Sequence, residues 1–233
     1  MQAKGIKDTV TSPRLRPQPS LRNPAFSIDD VNDSEAIKAI LTRKYLHRLD
    51  TKPRVHNNGF IQLDLSPRRR LHIWGHPDIP VAKEKAFIHD HIFGFRSWGL
   101  VGKLKNIVYD LDLNGNKYEI YTPKITRGCD STLEPTGVFC DVKVKHTDVI
   151  TARGNLDGLP DSYCIEPYLF HETFVEEPSA TVIEKSGSTL AQNPHGPSPR
   201  VLVPVGSKPD DQFSRHSTDE RLLWRIIEEV LGL

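Results

Sequence analysis

Between residues 86 and 185 the sequence is one short run of β-branched and aromatic residues after another, separated by turn formers, and such a succession predicts a body built of sheet. The runs are 86–93 (AFIHDHIF), 96–101 (RSWGLV), 103–111 (KLKNIVYDL), 117–122 (KYEIYT), 137–145 (GVFCDVKVK), 147–152 (TDVITA), 162–166 (SYCIE), 170–175 (FHETFV) and 179–185 (SATVIEK). Asn114-Gly115 falls between two of them, and that dipeptide predicts a tight hairpin there. Two earlier strands are expected, over 60–65 and at 71–75 (LHIWG). The chain carries 18 prolines and 15 glycines, and so many turn formers fit an all-β, β-rich α+β body better than a helical bundle.

Helices belong to the two ends. Ile37, Ile40, Leu41, Tyr45 and Leu46 recur at helical spacing within 33–48, with Asp33 or Ser34 as the cap. Leu222, Leu223, Ile226, Ile227, Val230 and Leu231 form one apolar stripe on 218–231, and Ser217 and Glu220 have capping-box spacing. This amphipathic C-terminal helix is expected to pack outside the sheet body. Residues 186–216 read as a long loop, or as an edge strand at VLVPV (201–205) interrupted by Pro204. Residues 1–27 hold five cations against Asp8 alone, together with four prolines. They read as a flexible basic arm ahead of a single domain over 28–233.

Composition narrows the function classes. The 233 residues carry a net charge of +1, so nothing in the balance argues for nucleic acid or an anionic membrane. No apolar run is long enough to span a bilayer, and the N-terminus lacks the apolar core of a secretory signal. A cytoplasmic location is the expectation. Cys129, Cys140 and Cys164 form no CxxC and are expected as reduced thiols. A homodimer is an open expectation, through sheet edges or the C-terminal helix.

Chemistry concentrates at Ile88-His89-Asp90-His91. Side chains alternate on a strand, so His89 and His91 leave on one face and Asp90 on the other. Two imidazoles about 6–7 Å apart along the backbone can reach one ion, given a third ligand from a neighbouring strand. Imidazole suits iron, zinc, nickel and copper better than magnesium or calcium. His171 and His146, which precedes Asp148, are the rivals for third ligand. His72 and His76, flanking Trp74, are candidates for a pocket mouth but are read first as strand and loop surface, and His56, His195 and His216 sit in loop-like contexts.

Two stretches resemble the cupin superfamily. IHDHIFGFRSWGLVGKL (88–104) is similar to the first cupin motif, with HxH on one strand and Gly102 at the following turn. DSYCIEPYLFHETF (161–174) is similar to the second, where a single histidine opens a strand after a short turn; Asp161, Tyr163, Ile165, Phe170 and His171 match it. The resemblance implies a double-stranded β-helix, a jelly-roll barrel with its core over about 60–185. It makes His89, His91 and His171 the ligands of one divalent metal. The sequence departs from the family in having Phe95, Arg96 and Ser97 where many cupins have a glutamate ligand, in Pro160 for a glycine, and in Glu166-Pro167-Tyr168 for the usual turn.

The three-His set resembles that of cysteine dioxygenases and related thiol dioxygenases. That implies Fe(II) and a dioxygenase acting on a small molecule, with a thiol as one candidate. Arg96 is then a candidate to hold a substrate carboxylate, or is simply a surface arginine. Tyr163 is a candidate to present its hydroxyl to the reacting centre, or is an interior aromatic. Glu172 is expected as a surface charge facing away from His171. A non-redox zinc or nickel enzyme and a non-catalytic ligand-binding protein are the alternatives, since fold does not dictate function.

Overall fold

The computed structural model describes residues 27–56, 58–79, 88–125, 131–152, 158–186, 198–207 and 219–233. The expected basic arm lies outside them except for Ser27, which caps a 3-10 turn over Ile28–Asp30. The helices are α1 (Ser34–Ile40), α2 (Arg43–Leu46) and α3 (Glu220–Leu231). The strands, in chain order, are β1 (Arg54–Val55), β2 (Ile61–Asp64), β3 (Arg69–Trp74), β4 (Phe95–Val101), β5 (Lys103–Ile125), β6 (Ser131–Thr151), β7 (Ser162–Ile165), β8 (Phe170–Val175), β9 (Ser179–Lys185) and β10 (Val201–Pro204).

Every strand pairing is antiparallel. One sheet has six strands in the order β1-β2-β3-β9-β4-β7. In the other, β5 pairs with β6 along one edge and with β8 and β10 along the other. The fold is therefore β-rich, as the run of short apolar segments implies. The expected barrel is not closed among the described residues; the chain forms two separate sheets instead.

The six-stranded sheet is covered on both faces, and strand alternation decides which side chain goes where. On β3, Leu71 and Ile73 join Trp98, Leu100, Ala180 and Val182 in the main core. Arg70, His72 and Trp74 point the other way, into a cavity between the sheets. The helices seal the core side. α3 buries Leu223, Ile226, Ile227, Val230 and Leu231, each contributing about 1.5–3 kcal/mol. Ile37, Leu41 and Leu46 enter the same cluster from α1 and α2.

Three local expectations change. The helix expected over 33–48 breaks in two at Thr42, whose extended backbone (ψ 156) and side-chain bond to the Tyr45 amide (3.2 Å) start a second turn. A threonine hydroxyl that caps competes with continuing the helix. Asp33 caps the first piece as expected. At α3 the cap is Asp219, which accepts from the Arg221 amide at 3.0 Å, while Ser217 of the expected capping box lies outside the described residues.

The third change is at Asn114-Gly115, which makes no hairpin. β5 runs through it and pairs with β6 on both sides, Val142 meeting both Leu111 and Asn116. Residues 112–115 therefore stand out as a bulge. A Cβ on Gly115 would come within 2.2 Å of the Val142 carbonyl oxygen, so glycine serves a close backbone approach here. The separate strands expected at 103–111 and 117–122 are one strand, as are those at 137–145 and 147–152.

Gly102 links β4 to β5 at φ +72, and a Cβ there would meet Ser179 Oγ at 2.4 Å and the Pro178 carbonyl at 2.9 Å. Gly102→Ala is expected to cost about 1–3 kcal/mol, seen as a lower urea midpoint at unchanged slope.

Candidate metal centre

Residues 88–91 are held as a single rung rather than a full strand, and residues 86 and 87 lie outside the described chain. His89 and His171 exchange both backbone bonds (3.0 and 2.9 Å), Leu202 donates to the Ile88 carbonyl at 2.9 Å, and Tyr168 donates to the His91 carbonyl at 2.7 Å. His89 thus bridges both His171 on β8 and Val201 on β10. Alternation survives in the short segment: His89 and His91 face the cavity, while Asp90 is fully buried on the opposite side.

The three imidazoles converge. Ring centroids lie 4.8 Å apart for His89–His91, 4.6 Å for His89–His171 and 5.2 Å for His91–His171. One nitrogen from each can be chosen so that all lie within 4.8 Å of one another, and such a group can hold a metal ion. The His171 Nδ1 sits 3.1 Å from the Leu169 carbonyl, so Nδ1 donates and Nε2 is left with its lone pair toward the cavity. Asn58 Nδ2 lies 3.3 Å from His89 Nε2. Phe93 stacks on His91 at 5.2 Å, and Phe95 packs edge-on against His91 and His171.

Burial keeps the His91 and His171 rings neutral. It pushes His171 down to about 3, with His89 adding to the effect and the Leu169 carbonyl opposing it. His91 is held well below its usual value by burial, then by His89 and His171. Neutral imidazole is the ligating form, so the donor set fits a divalent transition ion such as iron, zinc or nickel.

The centre lies on the wall of a cavity of about 150 Å³. Phe60 lines it as well, stacked on His56 at 4.3 Å and tilted against Trp74 at 4.1 Å and His72 at 4.5 Å. His72 Nε2 is buried without a hydrogen-bond partner. Burial, then His56, Arg70, Arg54 and Lys185, hold His72 well below its usual value. Tyr163 lines the cavity too; burial pushes its phenol up to about 12, against hydrogen bonds with Ser97 and Thr173. No described lining residue is acidic.

His171, not His146, joins the pair; His146 is exposed and sits 3.4 Å from Asp148. Arg96 is not brought to the cavity. It is exposed, pairs in register with the exposed Cys164, and lies over the Trp98 ring at 5.8 Å. Arg70 takes the cavity wall instead. His72 and His56 line the cavity rather than the surface, and His76 is buried 3.5 Å from Glu229. Glu172 does face away from His171, but it is buried and accepts from the Tyr109 hydroxyl. Cys140 is a free thiol, and Cys129 and His195 and His216 lie outside the described residues. No described helix is long and apolar enough to cross a membrane. No family model and no curated protein matches the chain.

His72, His91 and His171 are neutral in the folded, metal-free chain but titrate near 6.5 once unfolded. Below that value the unfolded state binds protons that the folded state refuses, so acid drains stability. Between pH 6 and 4 the His171 ring alone costs on the order of 1 kcal/mol per pH unit, and His72 and His91 act in the same direction. Thermal melts of metal-free protein should fall steeply across this window, and His171→Ala should flatten the slope.

Proposed function

We propose that this chain is a cupin-type metalloprotein, and that it is a mononuclear non-haem iron, dioxygenase-like enzyme acting on a small anionic molecule. The convergence of three imidazoles at a cavity wall, with no carboxylate among them, carries the reading. The strand-turn-His run from β7 through Tyr168 to His171 agrees with the second cupin motif. An Fe(II) ion held by His89, His91 and His171 would supply redox chemistry and open positions for a substrate and dioxygen together.

The remaining roles belong to the chain's own side chains. Arg70 lines the cavity and bonds Asp64 at 2.8 Å. Arg54 bonds the same carboxylate at 2.9 Å, and the Lys185 ammonium stands over the Phe93 ring at 5.4 Å. Three cations around one acid favour an anionic substrate group, so the carboxylate-holding role expected of Arg96 goes to Arg70 in this proposal. Tyr163, with its phenol pushed up to about 12, stays protonated at neutral pH and acts as a hydrogen-bond donor into the cavity. Phe60, Phe93 and Phe95 keep water from the centre. A cavity of about 150 Å³ is below the usual range for drug-sized ligands, so the substrate is small; anionic thiols are the first candidates.

Elemental analysis tests the centre. Iron at one per chain, absent from His171→Ala, is the expected result, and full metal in that variant would remove the proposed site. Zinc or nickel would favour a non-redox isomerase or hydrolase. Oxygen uptake by iron-loaded protein should respond to small thiols or other anions bearing a carboxylate. Arg70→Met should then raise KM by about 10–100-fold, the cost of losing a charged hydrogen bond, with a smaller change in kcat.

A further inference from the structure

Asp90 separates two of the three ligands in sequence, yet it turns away from the cavity and is completely buried. Its partner is Arg200, 110 residues away in sequence and 7% exposed. Asp90 Oδ1 accepts from the Arg200 amide at 2.5 Å, and Oδ2 accepts from Arg200 Nε at 2.6 Å. The Asp90 amide donates back to the Arg200 carbonyl at 3.0 Å. Arg200 Nη2 reaches the Tyr168 carbonyl at 3.3 Å, and the guanidinium lies over the Phe170 ring at 4.6 Å. One side chain therefore touches the residue between His89 and His91 and the residue just before His171.

A buried ion pair is a poor way to gain stability, because desolvating both charges offsets most of their attraction; well-packed apolar residues often do as well or better. What such a pair supplies is geometry. Asp90 can satisfy its carboxylate only with the 88–91 rung in one position against the start of β10. Arg200 can meet Tyr168 and Phe170 only with the 168–171 turn in one position against both.

We propose that Asp90 and Arg200 are positioning residues that set the spacing of the three imidazoles, so that the pair governs metal affinity and coordination geometry rather than overall stability. The inference rests on His89, His91 and His171 being the metal ligands.

Cobalt(II) titration of metal-free, full-length protein tests it, with equilibrium affinity and the visible d–d bands as readouts and thermal melting as the fold control. The apolar pair Asp90→Leu/Arg200→Met is expected to fold but to melt below wild type, because the Arg200 amide loses its acceptor, to bind Co(II) about 10–100-fold more weakly, and to show shifted bands. Arg200→Lys keeps the charge but loses the fork, and should fall between the two. A folded double variant with affinity within twofold of wild type and unchanged bands overturns the inference. If the double variant does not fold, Arg200→Lys decides on the same readouts: unchanged affinity and bands overturn it, weakened binding with shifted bands supports it. A wild-type protein that takes up no Co(II), or a His171→Ala variant that takes up as much, removes the metal reading itself. Wild-type binding that His171→Ala abolishes and the Asp90 and Arg200 variants leave intact removes the positioning role alone.

Discussion

The register between β3, β9 and β4 is the constraint on which the rest depends. Leu71 sits opposite Val182, His72 opposite Thr181, and Ser97 opposite Ile183. Because side chains alternate, a slip of one residue would turn Leu71 and Ile73 into the cavity and press Arg70 and His72 against the helices. Each lost aliphatic burial would cost about 1.5–3 kcal/mol, and a charged guanidinium would enter the core. A second device pins the same register. Arg69 is fully buried on the helix side of the sheet, where it bonds Glu184 across the β3–β9 ladder at 2.5 Å and the Val31 carbonyl at 2.6 Å. It also lies over Trp98 at 4.9 Å. No shifted pairing would give that cation its partners.

The histidine centre takes its position from the other sheet, through β8 and the short rung that carries His89 and His91. His171 is placed by β8, but His89 and His91 stand on a segment with one bridging residue. Such a segment has too few ladder bonds to fix itself. Its position comes from neighbours on both sides, β8 through His171 and β10 through Leu202 and Arg200. The imidazoles are therefore as well placed as the strands that flank them, and both flanking strands hang on β5.

Much of this was legible in the sequence, for reasons that also mark the limits. His89 and His91 share a face because alternation needs no knowledge of the fold. His171 was legible through the strand-turn-His pattern, whereas its rival His146 shows why spacing alone is not enough: it lies on a strand, but on an exposed stretch of it. Arg96 and Arg70 are the counter-case. Alternation separates Arg96 from Phe95 and Ser97, but a sheet buried on both faces does not announce which face holds the cavity. For the same reason His72, between Leu71 and Ile73, reads as surface until the second sheet is known. Asn114-Gly115 favours tight backbone geometry, and both a hairpin and a bulge satisfy that preference; the pairing of β5 with β6 on both sides decides it. The Asp90–Arg200 pair had no local signal, since each residue is an ordinary charge in its own stretch.

The charges around the cavity bear on the ligand proposed for it. Three neutral imidazoles do not offset the charge of a divalent ion, and the glutamate that many cupins would add is absent. Arg70 lines the cavity, with Asp64 as the counter-ion it shares with Arg54, and Lys185 lies close enough to feel all three charges. Lys185 is held below its usual value by burial and then by Arg70, with Asp64 opposing and Arg54 adding to the effect. At His72, burial and the same cations oppose a proton. A metal ion would add two more positive charges to this space. On the function proposed above, an anion would relieve all of these at once, and in a cavity this small a single anionic ligand would meet both the metal and Arg70.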